Sequence, residues 1–400
     1  MTKYEYEAEK WNGARVKGRI EAKSQVEVRV KVKNMGYKCL SVSEAAGDGF
    51  GKAAGIQNLS LKEKIDFTQT FLTLNKAGLP IIESLIFIEK DGASRPVRML
   101  AQEIKKQIIA GYTLSDTISK YPQIFGHVYI GLAKAGEDSG EIDKTFERLI
   151  SLLQKQGNIK GKVISALTYP AFVVLLAIAV VLVMLMFVFP AFKEMFDQQG
   201  KALPGITQFC IDTGEFLKDK WMLIPLIIAT IVVSFIYLLR WEPSRRKFDE
   251  ILLQIPLIAD LVKAASFSNF MTVLQIAYDA GIPILECLYL SKTTLSNAVL
   301  QDAINVSIKK MQAGARLSEA LKAANIFPKM ILFMVSTGEH SGRLGELMTQ
   351  SVMYIDQQLD LIIDTLGKLV EPVLLIFIGF IVCFLALSLY LPLFQSYSIS

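Results

Sequence analysis

From Val163 to Phe192 the chain carries no charged side chain; the flanking ionic residues are Lys162 and Lys193. About 20 residues rising ~1.5 Å each cross the hydrocarbon core of a bilayer, so this run predicts a membrane-spanning helix over 163–192. Pro170 and Pro190 set off that length, and near the C-terminus Pro372 and Pro392 flank another uncharged run. Pro190-Ala191-Phe192 is echoed by Pro392-Leu393-Phe394. A last span over 369–394 and an internal duplication are the expectation.

The duplication can be counted. Phe67, Ala77, Gly78, Pro80, Glu83 and Leu85 recur 203 positions later as Phe270, Ala280, Gly281, Pro283, Glu286 and Leu288, and Gly111, Leu114 and Ser115 recur as Gly314, Leu317 and Ser318. After a one-residue deletion, Gly136-Glu137-Asp138-Ser139-Gly140 matches Gly338-Glu339-His340-Ser341-Gly342. Ser60 and Glu63 form a capping box, and breaks at Gly78-Leu79-Pro80, Asp91-Gly92, Gly111, Tyr121-Pro122 and Gly136 to Gly140 divide the chain from there to Lys162 into six helical segments. One of them repeats apolar residues at Val97, Leu100, Ala101, Ile104 and Ile108. Two six-helix bundles are therefore expected, over 60–162 and 263–368, each feeding a span that leaves the cytoplasm.

Two copies in one orientation need an extra crossing, and the charge-free run Trp221 to Leu239 supplies it. Lysines 155, 160 and 162 precede the first span, and Arg240, Arg245, Arg246 and Lys247 follow the second. Both basic clusters belong on the cytoplasmic side. That orientation makes 193–220 a periplasmic loop, 240–262 a cytoplasmic connector and 395–400 a periplasmic tail. Of Cys39, Cys210, Cys287 and Cys383, Cys210 alone lies in the loop, so it alone should take an impermeant thiol reagent from outside.

The first residues are too charged for a secretory signal, so the first apolar helix is expected to direct insertion. Residues 1–44 read as a small mixed domain: a strand around Tyr4 and Tyr6, a second over Arg15 to Ala22, a helix from the Ser24 cap to Met35, and a third strand at Tyr37 to Val42. The Gly- and Ala-rich stretch 45–59 is a linker, and its Gly47 to Lys52 segment is one residue short of a phosphate loop. The fold class is thus mainly α and integral to the membrane, with two duplicated cytoplasmic six-helix bundles, three transmembrane helices and a small N-terminal α+β domain.

Catalytic chemistry is hard to place. The net charge of +5 is spread along the chain, with +4 over 1–59 (11 basic, 7 acidic), +3 over 60–162 (15 and 12) and 0 over 263–368 (9 and 9). That suits membrane orientation better than nucleic acid. A nucleophilic Ser139 or Ser341 lacks a duplicated histidine base. The turn reading instead gives Gly136 and Gly338 left-handed helix ends and makes Asp138, Ser139 and Ser341 caps for the next helix. Glu83, Glu286 and Glu137 are the carboxylates considered for a metal ion, and Glu371 is a polar group at the mouth of the last span; neither a metal nor a cofactor site is expected. The same charge count makes Lys105 and Lys106, more than Lys309 and Lys310, the expected docking face for an acidic partner.

These motifs in this order resemble the inner-membrane platform proteins of type IV pilus and type II secretion machines, the PilC and GspF family. The marks are Tyr4-x-Tyr6-x-Ala8, Gly18-x-Ile20-x-Ala22, Ala77-Gly78-Leu79-Pro80, Ala135-Gly136-Glu137-x-Ser139-Gly140, Ala166-Leu167-x-Tyr169-Pro170 and Leu203-Pro204, with their second-copy equivalents. Tyr390-Leu391-Pro392-Leu393-Phe394 looks more like the pilus branch. The resemblance implies a non-enzymatic, multi-pass inner-membrane platform that couples a cytoplasmic hexameric ATPase to insertion or removal of pilin. The implied partners are further copies of itself, as a dimer or larger, and other inner-membrane pilus alignment proteins. The alternatives are a secretion-system platform building a pseudopilus and, behind it, a small transporter component.

Overall fold

The computed structural model describes residues 2–9, 15–22, 38–44, 58–197, 204–220 and 242–397, with Thr230 and Ser234. The helix expected over 24–35 lies outside these residues, as do the linker up to residue 57 and, apart from Thr230 and Ser234, the span expected over 221–239. The chain divides into two compact units, 1–126 and 127–400.

In the first unit, strands β1 (Thr2–Glu9), β2 (Arg15–Ala22) and β3 (Lys38–Glu44) form an antiparallel sheet in the order β2-β1-β3. Helix α1 (Leu61–Lys76) begins at the capping box: Ser60 Oγ accepts from Glu63 N at 3.2 Å, and Glu63 Oε2 accepts from Ser60 N at 2.8 Å. The same carboxylate accepts from Ser94 Oγ at 2.7 Å, and Ser94 caps α3 (Arg95–Ile109). Hydrogen bonds from Ser94 and then Ser60 hold the Glu63 carboxyl below its usual range. Gly78 (φ 84°) turns the chain left-handed so that Pro80 can start α2 (Ile81–Asp91). Val97, Leu100, Ala101 and Ile104, at helical spacing, are wholly buried on α3, while Ile108 is half-buried. The α1 rings of Phe67 and Phe71 stack at 6.4 Å, and Phe67 meets Phe125 at 6.0 Å, beyond α4 (Leu114–Ser119).

The second unit opens in α5 (Pro122–Ser139), which breaks at Gly126 (φ 79°), so its regular part starts at His127. Helix α6 (Ile142–Val183), a π-helical turn (Met184–Val188) and α7 (Phe189–Asp197) form one rod. After α8 (Gly205–Asp219) and α9 (Glu242–Leu252) comes the second copy: α10 (Ile258–Asp279), α11 (Ile284–Lys292), α12 (Ala298–Gln312), α13 (Leu317–Ala323), α14 (Lys329–Ser341) and α15 (Leu344–Tyr397). The repeat is conformational as well as chemical. Left-handed glycines recur at 78 and 281, 111 and 314, and 140 and 342, while α12 starts 203 residues after α3 and α14 202 after His127.

Among the described residues, two helices, Ile142–Asp197 of 56 residues and Leu344–Pro392 of 49, are long and apolar enough to cross a membrane. Only about a tenth of their most apolar stretches is buried: Phe172, Leu175, Ile376 and Phe380 stand 64–74% exposed. Such a surface requires lipid or protein cover. Pro170, Pro372 and Pro392 lie inside these helices, so the boundaries read at 162/163 and 368/369 mark changes of hydropathy along unbroken helices.

The segment read as a loop over 193–220 is largely helical. Helix α8 packs against the π turn and α15, where Leu185, Phe189, Cys210, Ile211 and Leu385 form one buried cluster. Thr207 Oγ1 donates to the Ser388 carbonyl at 2.6 Å. Gly214 lies so close to the π turn that a Cβ there would sit 2.1 Å from the Leu185 carbonyl oxygen. Cys210 is only 2% exposed, with Sγ 3.6 Å from Ser388 Oγ, which corrects the labelling expectation: a thiol in this cluster is shielded on either side of a membrane. Asp212, exposed on the same helix, is the position at which an introduced cysteine reports topology.

Cys287 is also buried, in the first turn and a half of α11, donating to the Ile282 carbonyl at 3.2 Å. Burial first, and the neighbouring Glu286 charge second, push its thiol up to about 12 from 9.0. A raised folded pKa means stability present below pH 9.0 and lost as pH climbs toward about 12. Iodoacetamide at pH 9 should leave Cys287 unmodified in the folded chain and modify it on unfolding. Cys287→Ala should lose less stability than wild type between pH 9 and 12 in thermal melts.

Candidate functional site: a charged seam between the two copies

The equivalent helices α6 and α15, one from each copy, run side by side as they approach the apolar runs. Lys155 on α6 reaches two helices of the second copy. Its Nζ lies 2.8 Å from Asp356 Oδ2 on α15 and donates to Thr272 Oγ1 on α10 at 2.5 Å. Thr272 in turn donates to the Ser268 carbonyl at 2.6 Å, and Ser268 Oγ donates to Asp356 Oδ1 at 2.5 Å. These contacts close a ring through three helices in which each hydroxyl proton is used. The Lys155 side chain is 18% exposed, and burial lowers its pKa while Asp356 works against that shift.

About two turns onward, Lys162 meets Asp360 at 2.6 Å. Both side chains are half exposed, so this pair contributes at most about 1 kcal/mol. Between and beyond the two pairs, Leu359, Ile363 and Ala264 are buried, with Ile159, Val163 and Ala166 packed against them. Gly157, Gly161 and Ser165 line a groove of about 800 Å³ whose opposite wall carries Asp360 and Asp364. On α5, Gly131 brings its backbone close to α11: a Cβ there would lie 3.0 Å from Leu290. The one largely buried ammonium of the seam is held by a carboxylate and a hydroxyl, and Lys155, Ile159, Asp356 and Leu359 line a cavity of about 360 Å³ beside it.

The Gly-Glu-x-Ser-Gly motif has a different geometry from the one read in the sequence. Gly140 (φ 73°) and Gly342 (φ 70°) are the left-handed residues. Gly136 and Gly338 are helical and permit close packing, since a Cβ would come 2.6 Å from Thr145 Oγ1 and 3.0 Å from Leu344 Cα. Ser341 Oγ donates back to the Thr337 carbonyl at 2.8 Å, and Ser139 makes only 3.4 Å contacts to Gly136 O and Glu141 N. Glu339 does the capping. Its carboxylate accepts from Leu317 N at 2.7 Å, from Ser318 N at 3.0 Å and from Ser318 Oγ, closing the N-terminus of α13 where Arg316 supplies no side-chain cap. Glu339→Ala should therefore cost about 2 kcal/mol, and Glu339→Gln about half of that, in thermal or denaturant unfolding.

Comparison with known proteins agrees with the internal count. The profile of the family described as "Type II secretion system (T2SS), protein F" matches twice, over residues 67–190 and 270–392. The starts differ by 203 and the ends by 202, which is the offset and single deletion counted above. The chain belongs to the type II secretion system protein F family. Among its relatives, the type IV pilus assembly protein PilC of Myxococcus xanthus is 29% identical over 98% of this chain and 94% of its own length. PilC of Thermus thermophilus is 28% identical over 99% and 98%, and the type II secretion system protein F of Vibrio cholerae 27% over 99% and 98%.

Within this protein F chain, Glu83 and Glu286 are exposed in the first turns of α2 and α11, just after Pro80 and Pro283, where a carboxylate offsets the helix dipole. Among the described residues, no three of His, Cys, Asp or Glu converge in a way that could hold a metal ion. Glu371 is exposed on α15, three turns past Asp360. Lys105 pairs with Glu89 across α2 and α3, its side chain 20% exposed, and Lys106 pairs with Glu103 at 2.7 Å. Lys309 and Lys310 are the exposed pair. Both lysines of the docking face read from net charge are thus ion-paired within their own bundle.

The seam carries a signal that net charge and motif spacing pass over. Asp356, Asp360 and Asp364 repeat every four residues just before a span, where Gln154, Asn158 and Lys162 stand 202 positions earlier. At that offset Lys155 corresponds to Gln357 and Lys162 to Asp364, so each lysine pairs with an aspartate one or four residues before its own counterpart.

Proposed function

We propose that this chain is the inner-membrane platform of a type IV pilus assembly machine, coupling a cytoplasmic hexameric ATPase to insertion or removal of pilin. The observation that carries the reading is end-to-end similarity to proteins named PilC, with both family copies in place. The chain does no catalysis. Its spans are 163–192, 221–239 and 369–394, its N-terminus is cytoplasmic and its C-terminus periplasmic, a reading supported by the basic clusters at Lys155 to Lys162 and Arg240 to Lys247. A small α+β domain over 1–44 is tethered by 45–59 to six-helix bundles over 60–162 and 263–368, which meet the ATPase, while the spans meet pilin, alignment proteins and further copies of the chain.

Deleting the gene should abolish surface fibres while pilin accumulates in the inner membrane, and the purified chain should not hydrolyse ATP. Unchanged fibres would refute the pilus reading. The second reading, a secretion-system platform, rests on the protein F relative of Vibrio cholerae, matched over 99% of this chain. It predicts retained secretion substrates instead of lost fibres.

A further inference from the structure

We infer that α8 is an interfacial helix whose Ile206, Phe209 and Phe216 face lies in the bilayer, in the leaflet where the first span ends. The inference rests on the membrane reading above and adds a fourth lipid contact to it. Around the helix axis the residues fall into three sectors. Thr207, Cys210, Ile211 and Gly214 are buried against the π turn and α15. Gln208, Asp212, Glu215 and Asp219 recur at intervals of four, three and four and form a polar side. Ile206, Phe209 and Phe216 form a third side and are 44%, 64% and 55% exposed. Thr213, between them, donates its hydroxyl to the Phe209 carbonyl at 2.7 Å and so brings no unpaired polar group to that side. A helix in water has no use for two exposed phenylalanines, and one buried in protein has no use for the acidic side. The boundary between lipid and water suits both.

Depth is set independently by the spans. Helix α8 packs against Leu185 and Phe189, which precede Lys193, the first charge after the apolar run, by eight and four residues. At ~1.5 Å per residue this puts the contact about 6–12 Å below that lysine, and interfacial helices bury their apolar faces about 5–10 Å. Lys193 pairs with Glu215 at 2.7 Å, fixing the polar side at the level of the charge. At the other end, the Lys220 ammonium stands 5.4 Å from the Phe216 ring, immediately before Trp221, a residue type enriched at membrane-water interfaces. The Phe209 side also continues into a groove between Leu185 and Phe380 of the two spans, lined by apolar side chains with Cys210 and Thr213. Lipid is the occupant that suits a surface so continuous with lipid-facing spans.

The test uses the full chain, with Cys39, Cys210, Cys287 and Cys383 replaced, in phosphatidylcholine vesicles, carrying one spin label at 206, 209, 212, 215, 216 or 376. Labels at 206, 209 and 216 should relax several-fold faster with oxygen than with a water-soluble nickel chelate, as at Ile376 on the span, and labels at 212 and 215 should do the reverse. Nickel access at 209 and 216 with a normal Ile376 would overturn the inference alone. Low access to both reagents there would overturn it in favour of a protein cover. Nickel access at Ile376 would overturn the membrane reading itself and the inference with it. On the unmodified chain, an apolar photoactivated carbene should label Phe209 and Phe216; absence of label from α8 while the spans are labelled would also overturn the inference.

Discussion

Asp356→Asn should destabilise the seam by about 2–3 kcal/mol, more than any other single neutral substitution among its polar residues. Lys155 is then left with its ammonium 18% exposed, the Thr272 hydroxyl and a neutral amide oxygen as acceptors, and no counter-charge. An ion largely removed from water and stripped of its counter-charge carries the full desolvation penalty. Lys155→Met should cost less, because Asp356 is 38% exposed and keeps the Ser268 hydroxyl. Joining the two changes should recover most of the loss, since replacing both partners of a buried pair is close to neutral. Thermal melts of the four proteins in one detergent form the cycle, and a double variant no more stable than Asp356→Asn would show that the pair is not the coupling element.

Gly214→Val should be the most disruptive change near the C-terminal ends of the two long apolar helices. Its Cβ would lie 2.1 Å from the Leu185 carbonyl oxygen, a backbone atom that cannot swing aside as a side chain would. Helix α8 must move off the π turn, and with it go the Thr207 to Ser388 hydrogen bond and the burial of Ile211. Such forced overpacking costs about 3 kcal/mol. Gly214→Ala places the same Cβ and should be nearly as damaging, whereas Thr213→Val on the adjacent exposed side should be mild. Protease access at Lys218 and Lys220 reads the release of the helix: wild-type cleavage rates in Gly214→Val would refute the clamp.

Glycine and proline punctuation makes most helix ends legible from the residues alone. Gly78, Gly111 and Gly140 take the left-handed conformation that lets a helix stop, and the capping box at Ser60 forms as its side chains require. Gly136 misleads because a glycine four residues before a second glycine can serve either a helix end or a close crossing, and only the position of Thr145 decides. The pairing of Lys105 is hidden because net charge does not reveal that Glu89 sits one helix away. The seam is hidden because Lys162 and Asp360 are 198 residues apart, although the acidic stripe at Asp356, Asp360 and Asp364 is visible before the span. Helix α8 is hidden because three sectors on a short helix blur the two-faced pattern by which amphipathic helices are recognised.

The central claim is that the α6 and α15 seam couples the apolar helices of the two family copies, and that fibre assembly depends on it. The direct measurement is the number of surface fibres in a strain lacking the gene, complemented with wild type, Asp356→Asn or Lys155→Met/Asp356→Asn at matched membrane levels. The account predicts fibres with wild type, few with Asp356→Asn and recovery with the double variant. Wild-type fibre numbers with Asp356→Asn, or equal loss in both variants, would contradict it.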